Sequence, residues 1–252
     1  MVLNGAEPAD KVELTRTAAA AWREGRFAAV GRSSPPDRPA RPGRPELLAP
    51  RAMAKRGRGV TLKARIALLH ALAHIELNAI DLAWDIILRF PDDDMPPAFF
   101  DDWVRVADDE ARHFVMLNDR LADFDAAYGD LPAHDGLWQA ALDTAGDLAA
   151  RLAVVPMVLE ARGLDVTPRT VAGLAALGDH RTADLLQQIY EDEITHVAAG
   201  CRWFAVLAAR RGLDPRVWWR ELLQLNYKGV LKEPFNHEAR LKAGLTPDYY
   251  AA

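Results

Sequence analysis

Six residues in this chain have the types and spacing needed to hold metal ions: Glu76, Glu110, His113, Glu160, Glu193 and His196. Four of them sit in two related strings. "VADDEARH" ends at His113 and "IYEDEITH" at His196, and both contain Asp-Glu-x-x-His. Residues three apart share one face of a helix, so the Glu and His of each string can reach one ion. Oxygen and imidazole donors without a thiolate suit iron or manganese better than structural zinc. With 12 Glu and 7 His in 252 residues, about 0.3 Glu-x-x-His pairs are expected by chance, so one match alone means little. Here there are two, and each has a further Glu 34 or 33 residues upstream. The pattern is also an internal repeat. Glu76 and Glu160 lie 84 residues apart, while Glu110 and Glu193, like His113 and His196, lie 83 apart.

Helices must place these side chains. Apolar spacing of three and four predicts long helices over 62–90, 97–126, 136–163 and 178–211, with shorter ones over 8–25 and in "DPRVWWRELLQLNYKG". Thr170 and Asp179 are candidate N-caps, Gly163 and Gly212 candidate stops, and "PDDDMPP" a turn. Few runs alternate polar and apolar residues, so no sheet is expected. The apolar seams are interrupted at the six positions named above. Ile66, Leu69, Ala73, Ile80, Ala83 and Ile87 run through Glu76. Trp103, Val106 and Leu117 flank Glu110 and His113. Leu186, Ile189, Gly200 and Trp203 flank Glu193 and His196. The third seam (Gly146, Ala149, Ala153, Met157) is made largely of small residues that suit either room for a substrate or close packing, and Pro156 should kink that helix just before Glu160. Carboxylates converging in a core repel unless a cation lies among them. The competing reading is exposed helix charges beside ordinary core histidines. His70 and His74 are out of phase with Glu76, Glu191 points away from Glu193, and Tyr190 can flank the site or simply be a core tyrosine.

The net charge of −5 hides an asymmetry: residues 31–60 carry eight Lys/Arg, two acids and six prolines, about +6, and leave about −11 elsewhere. That segment reads either as a linker across an acidic body or as a basic arm that touches nucleic acid. The start of the chain lacks a secretory pattern, no 18-residue apolar run is seen, and Cys201 is the only cysteine. A cytoplasmic protein without a membrane span is therefore expected. The division expected is a helix and basic extension over 1–60, a bundle over 61–212, and a helix and tail packing on it over 213–252.

"DEARH" at 109–113 resembles the motif of di-iron carboxylate oxygenases and ferritin-like enzymes; "DEITH" at 192–196 has Thr195 where that motif has Arg. One Glu from each of two helices plus Glu-x-x-His from each of two others is the ferritin-like dinuclear ligand set. "HALAHIELNAIDLAWD", "DEARHF", "LEARGLD" and "EPFNHEARLKAGL" together resemble the ferritin-like family known as domain of unknown function 455, over roughly residues 40–248. The resemblance implies an all-α, ferritin-like four-helix bundle with extra N-terminal and C-terminal helical segments. It also implies two iron ions, or manganese and iron. Asp109 would orient His196, and Asp192 would orient His113. The reading that follows is an oxidase or oxygenase acting with dioxygen on a small organic substrate, its electron donor and oligomeric state open. The alternatives are a ferroxidase or metal-handling protein, a metal-stabilised interaction module, and, if the basic arm meets nucleic acid, a modified-tRNA hydroxylase.

Overall fold

The computed structural model describes residues 2–27, 31, 34–53, 61–90 and 94–251. It is almost entirely helical and divides into two compact units, Met1–Gln139 and Ala140–Ala252. The expected turn at 91–93 and part of the basic segment (32–33 and 54–60) lie outside the described residues.

Unit 1 is built on α1 (Pro8–Arg23), α2 (Leu62–Arg89) and α3 (Pro97–Ala122). Thr61 caps α2 by accepting from the Ala64 N–H, and α3 starts on Pro97, whose missing N–H costs a first turn nothing. The seam residues Leu69, Ala73, Ile80, Trp103, Val106 and Leu117 are all at most 1% exposed. By length and composition alone α2 could cross a membrane, although Glu76, Asp81 and Asp85 interrupt its apolar run and 67% of its most apolar window is buried within the protein. The expectation of no sheet is corrected by one short parallel pair, β1 (Leu47–Leu48) with β2 (Ala133–His134).

The described part of the Pro-rich segment packs onto unit 1. Arg41 donates to Asp81 (2.6 Å) and Asn78 (2.6 Å), Arg38 pairs with Asp135, and Trp138 Nε1 donates to the Asp37 carbonyl (3.0 Å). Asp81 also accepts from Lys11 of α1 at 2.7 Å, and neither of those two side chains is exposed. Burial pushes Lys11 below and Asp81 above their usual ranges, and the ion pair pulls each back.

Unit 2 holds the second half of α4 (Gly136–Asp143), then α5 (Leu148–Val154), a π-helical segment (Val155–Glu160), α6 (Ala161–Ala176), α7 (His180–Arg211), α8 (Pro215–Asn226), α9 (His237–Lys242) and α10 (Pro247–Tyr250). The single helix expected over 136–163 is broken after Asp143, where Gly146 lies in an exposed turn outside the seam and Asp147 starts α5 by capping Ala149 and Ala150. Gly163 does not stop the helix. It continues to Ala176 through Pro168, and Thr170, far from being a cap, turns its hydroxyl back to the Val166 carbonyl (3.1 Å). Asp179 caps α7 through the Thr182 N–H, and Gly212 closes α7 with φ of 66°, which glycine adopts freely.

Candidate metal centre

Within unit 1, α2 supplies Glu76 and α3 supplies Glu110 and His113, which are 4%, 1% and 0% exposed. His113 Nδ1 lies 3.3 Å from Glu110 Oε2 and 3.5 Å from Glu76 Oε2. One donor atom from each of the three falls within 4.8 Å of the others. The reading as exposed helix charges does not survive this burial. Two carboxylates out of water and this near each other are costly unless a cation balances them. Since Nδ1 faces the carboxylates, Nε2 is left for an outer partner that can fix the tautomer.

Within unit 2, the π-helical segment ends on Glu160, whose Oε2 is sealed from solvent, and α7 supplies Glu193 and His196. His196 is fully buried, and its Nδ1 lies 3.6 Å from Glu193 Oε1, so both Glu-x-x-His pairs turn the same ring nitrogen toward their glutamate. The glutamates differ: the Glu110 side chain is 1% exposed and that of Glu193 14%. The expected kink at Pro156 takes the form of π-helical turns. Proline has no N–H to give to the helix, and the wider turns absorb the lost bond.

The neighbours of these residues are varied. Asp109 accepts from Arg112 of its own helix at 2.8 Å, while Asp192 is half-buried on α7. Tyr190 is half-buried, and its hydroxyl accepts from Asn236 Nδ2 (3.0 Å). Glu191 is exposed and accepts from Gln187, in keeping with its outward phase. His70 and His74 are core groups. His70 Nε2 accepts from the Gly129 N–H (2.9 Å), His74 Nδ1 meets the Tyr128 hydroxyl (2.8 Å), and both rings stack on Tyr128. Burial lowers both pKa values, that of His74 to about 4. A groove of about 560 Å³ between α1 and α3 has Tyr128 and Phe114 in its wall, and none of the six candidate ligands lines it.

The sequence reading missed Asp81 and Asp165. Asp165 stands five residues past Glu160, as Asp81 stands five past Glu76. Arg240 of α9 grips it with two bonds of 2.7 Å, and the Asn236 N–H adds a third of 2.9 Å. Phe235 and Tyr250 cover the same guanidinium, with its carbon 4.8 and 4.5 Å from the ring centres. The repeat offset of 84 residues was the available signal, because it relates both the glutamates and these aspartates.

The family described as "Protein of unknown function (DUF455)" matches residues 4–251. This chain belongs to that family. The DUF455 match takes in both terminal arms and reaches further at each end than the motifs that first suggested it. A protein of Haemophilus influenzae described as "Uncharacterized protein" is 42% identical over 210 residues, covering 81% of this chain and 73% of that one. No solved structure matches.

Proposed function

We propose that this DUF455 protein is a ferritin-like dinuclear metal carboxylate protein that activates dioxygen on an organic substrate. In this reading α2, α3, the α5–α6 helix and α7 make a four-helix bundle. Glu76, Glu110, His113, Glu160, Glu193 and His196 would together hold the two ions. One observation carries the reading: each repeat buries a Glu-x-x-His pair with His Nδ1 turned to the carboxylate. The donor set fits, since hard oxygens with two imidazoles and no thiolate match iron or manganese.

Iron, if held by these residues, would supply electrons for the reduction of dioxygen. The chain's own residues do the rest. The glutamates neutralise and position the ions, while Leu69, Ala73, Trp103 and Leu117 keep water from the unit 1 triad. Asp109 and Asp192 are assigned, by the family resemblance, to orient His196 and His113.

The test is anaerobic loading of the apo-protein with ferrous iron, followed by air in an oxygen electrode. The reading expects two irons per chain and oxygen uptake that disappears in Glu110→Ala and in Glu193→Ala. Two irons without oxygen uptake leave a metal-stabilised module instead. Uptake that ends with ferric iron retained in a large shell indicates metal handling. If both variants still bind two ions, the ligand assignment is wrong. The narrower nucleic-acid reading has to work without Arg41, whose largely buried guanidinium is held by Asp81 and Asn78.

A further inference from the structure

The structure assigns a positioning role to Gly200 and Pro156: their contact sets the level at which Glu160 meets His196. This rests on the metal-centre reading above and adds residues outside the ligand set. An ideal Cβ built on Gly200 would lie 2.5 Å from both Cβ and Cγ of Pro156. Non-bonded carbons prefer about 3.5–4.0 Å, so no side chain fits there and the backbone of α7 rests directly on the proline ring. Gly200 is four residues after His196, and Pro156 is four residues before Glu160. The π-helical segment runs on into α6, and residues 177–179 turn the chain from α6 into α7. Along such an antiparallel hairpin, one turn forward from Pro156 and one turn back from Gly200 lead toward the same level. The close contact is therefore a fixed point one turn from each ligand. The π-helical turns beside it rotate Glu160 away from the direction it would take in a regular helix.

Unit 1 has no such device. By the repeat offsets of 84 and 83, Leu72 stands where Pro156 does and Leu117 where Gly200 does. Leu117 is fully buried, and α2 runs as an unbroken α-helix from Leu62 to Arg89. Glu76 is thus presented by a regular helix packed through leucines, whereas Glu160 is presented by a widened helix packed against a bare backbone.

The test is an anaerobic ferrous titration of the full chain, with bound iron counted by equilibrium dialysis and helix content followed by circular dichroism. Gly200→Ala is expected to keep wild-type helix content and one tight iron, while the second iron weakens at least tenfold. Pro156→Ala, which restores a helix N–H and removes the ring, should act in the same direction on the second iron while leaving the first and the helix content unchanged, a selectivity that a general loss of stability would not give. If wild-type protein binds two irons and Gly200→Ala and Pro156→Ala both bind two equally well, or if each loses both irons together, the positioning role is wrong while the metal centre stands. If wild-type protein binds no iron, the metal-centre reading fails and this inference fails with it.

Discussion

The two units carry the same three-residue chemistry on different supports. In unit 1, a regular helix hairpin packs through leucine, isoleucine and tryptophan, and Glu110 is sealed. In unit 2, the helical run that carries Glu160 is broken once, widened once and holds one proline on each side of that glutamate, and Glu193 retains 14% exposure. Duplicated ligands therefore need not give equivalent sites. Unit 1 is arranged as a fixed support; unit 2 has its backbone irregularity directly before Glu160.

The largest expected effects lie in the two buried aspartates. Asp81→Ala leaves Lys11 and Arg41 without their shared anion, and Asp165→Ala strips Arg240, which is 2% exposed. Each should cost about 3–5 kcal/mol in chemical denaturation, with Asp81→Ala the worse because two cations are stranded. Equal costs would mean that the terminal arms are held alike despite their different partners.

Next comes the acid response of unit 1. His74 titrates near 6.5 when unfolded and at about 4 when folded, so the unfolded chain binds more protons between those values. Stability from this group is complete above pH 6.5 and falls as the pH drops to about 4, by about 3 kcal/mol in all. His70 shifts in the same direction. Urea midpoints measured across that range should show a shallower slope for His74→Gln than for the wild type; parallel slopes would remove His74 from the account.

A finer contrast comes from shortening one ligand at a time. Glu110→Asp, on the rigid support, should weaken iron binding about 100-fold, and Glu193→Asp about tenfold, the range that changes in ligand support commonly produce. The reverse order, read from ferrous titrations, would invert the fixed and adjustable roles. The smallest effect is at the caps. Thr61→Ala on α2 and Asp179→Ala on α7 each remove one acceptor from a helix start, and thermal melts should register about 1 kcal/mol apiece.

What could be read from sequence follows the same divide. The spans of α2, α3 and α7 come from apolar periodicity sustained on both sides of the polar positions, and Asp179 and Gly212 mark the ends of α7 by local chemistry alone. The ligand candidates were legible because they break apolar seams at matching offsets. The third predicted helix failed where tertiary packing overrides local preference. Gly163 and Thr170 resemble end signals but are carried inside α6, and the widened turns at Pro156 pack against the bare backbone of Gly200, 44 residues later. Asp81 and Asp165 looked like ordinary polar positions because their cations come from distant segments. No local window contains Lys11 with Asp81, or Arg240 with Asp165.

The order of those cations along the chain has a consequence during synthesis. Lys11 and Arg41 are made 70 and 40 residues before Asp81, so that carboxylate emerges with its partners already present. Arg240 follows Asp165 by 75 residues. At 5–20 residues per second, Asp165 waits roughly 4–15 s for its guanidinium. Until then, Asp165 has only Arg162 of its own helix, 3.5 Å away and 37% exposed, to balance it. The first half can therefore complete its buried ion pairs while the ribosome is still translating, whereas the second gains its bidentate partner only near the end of synthesis.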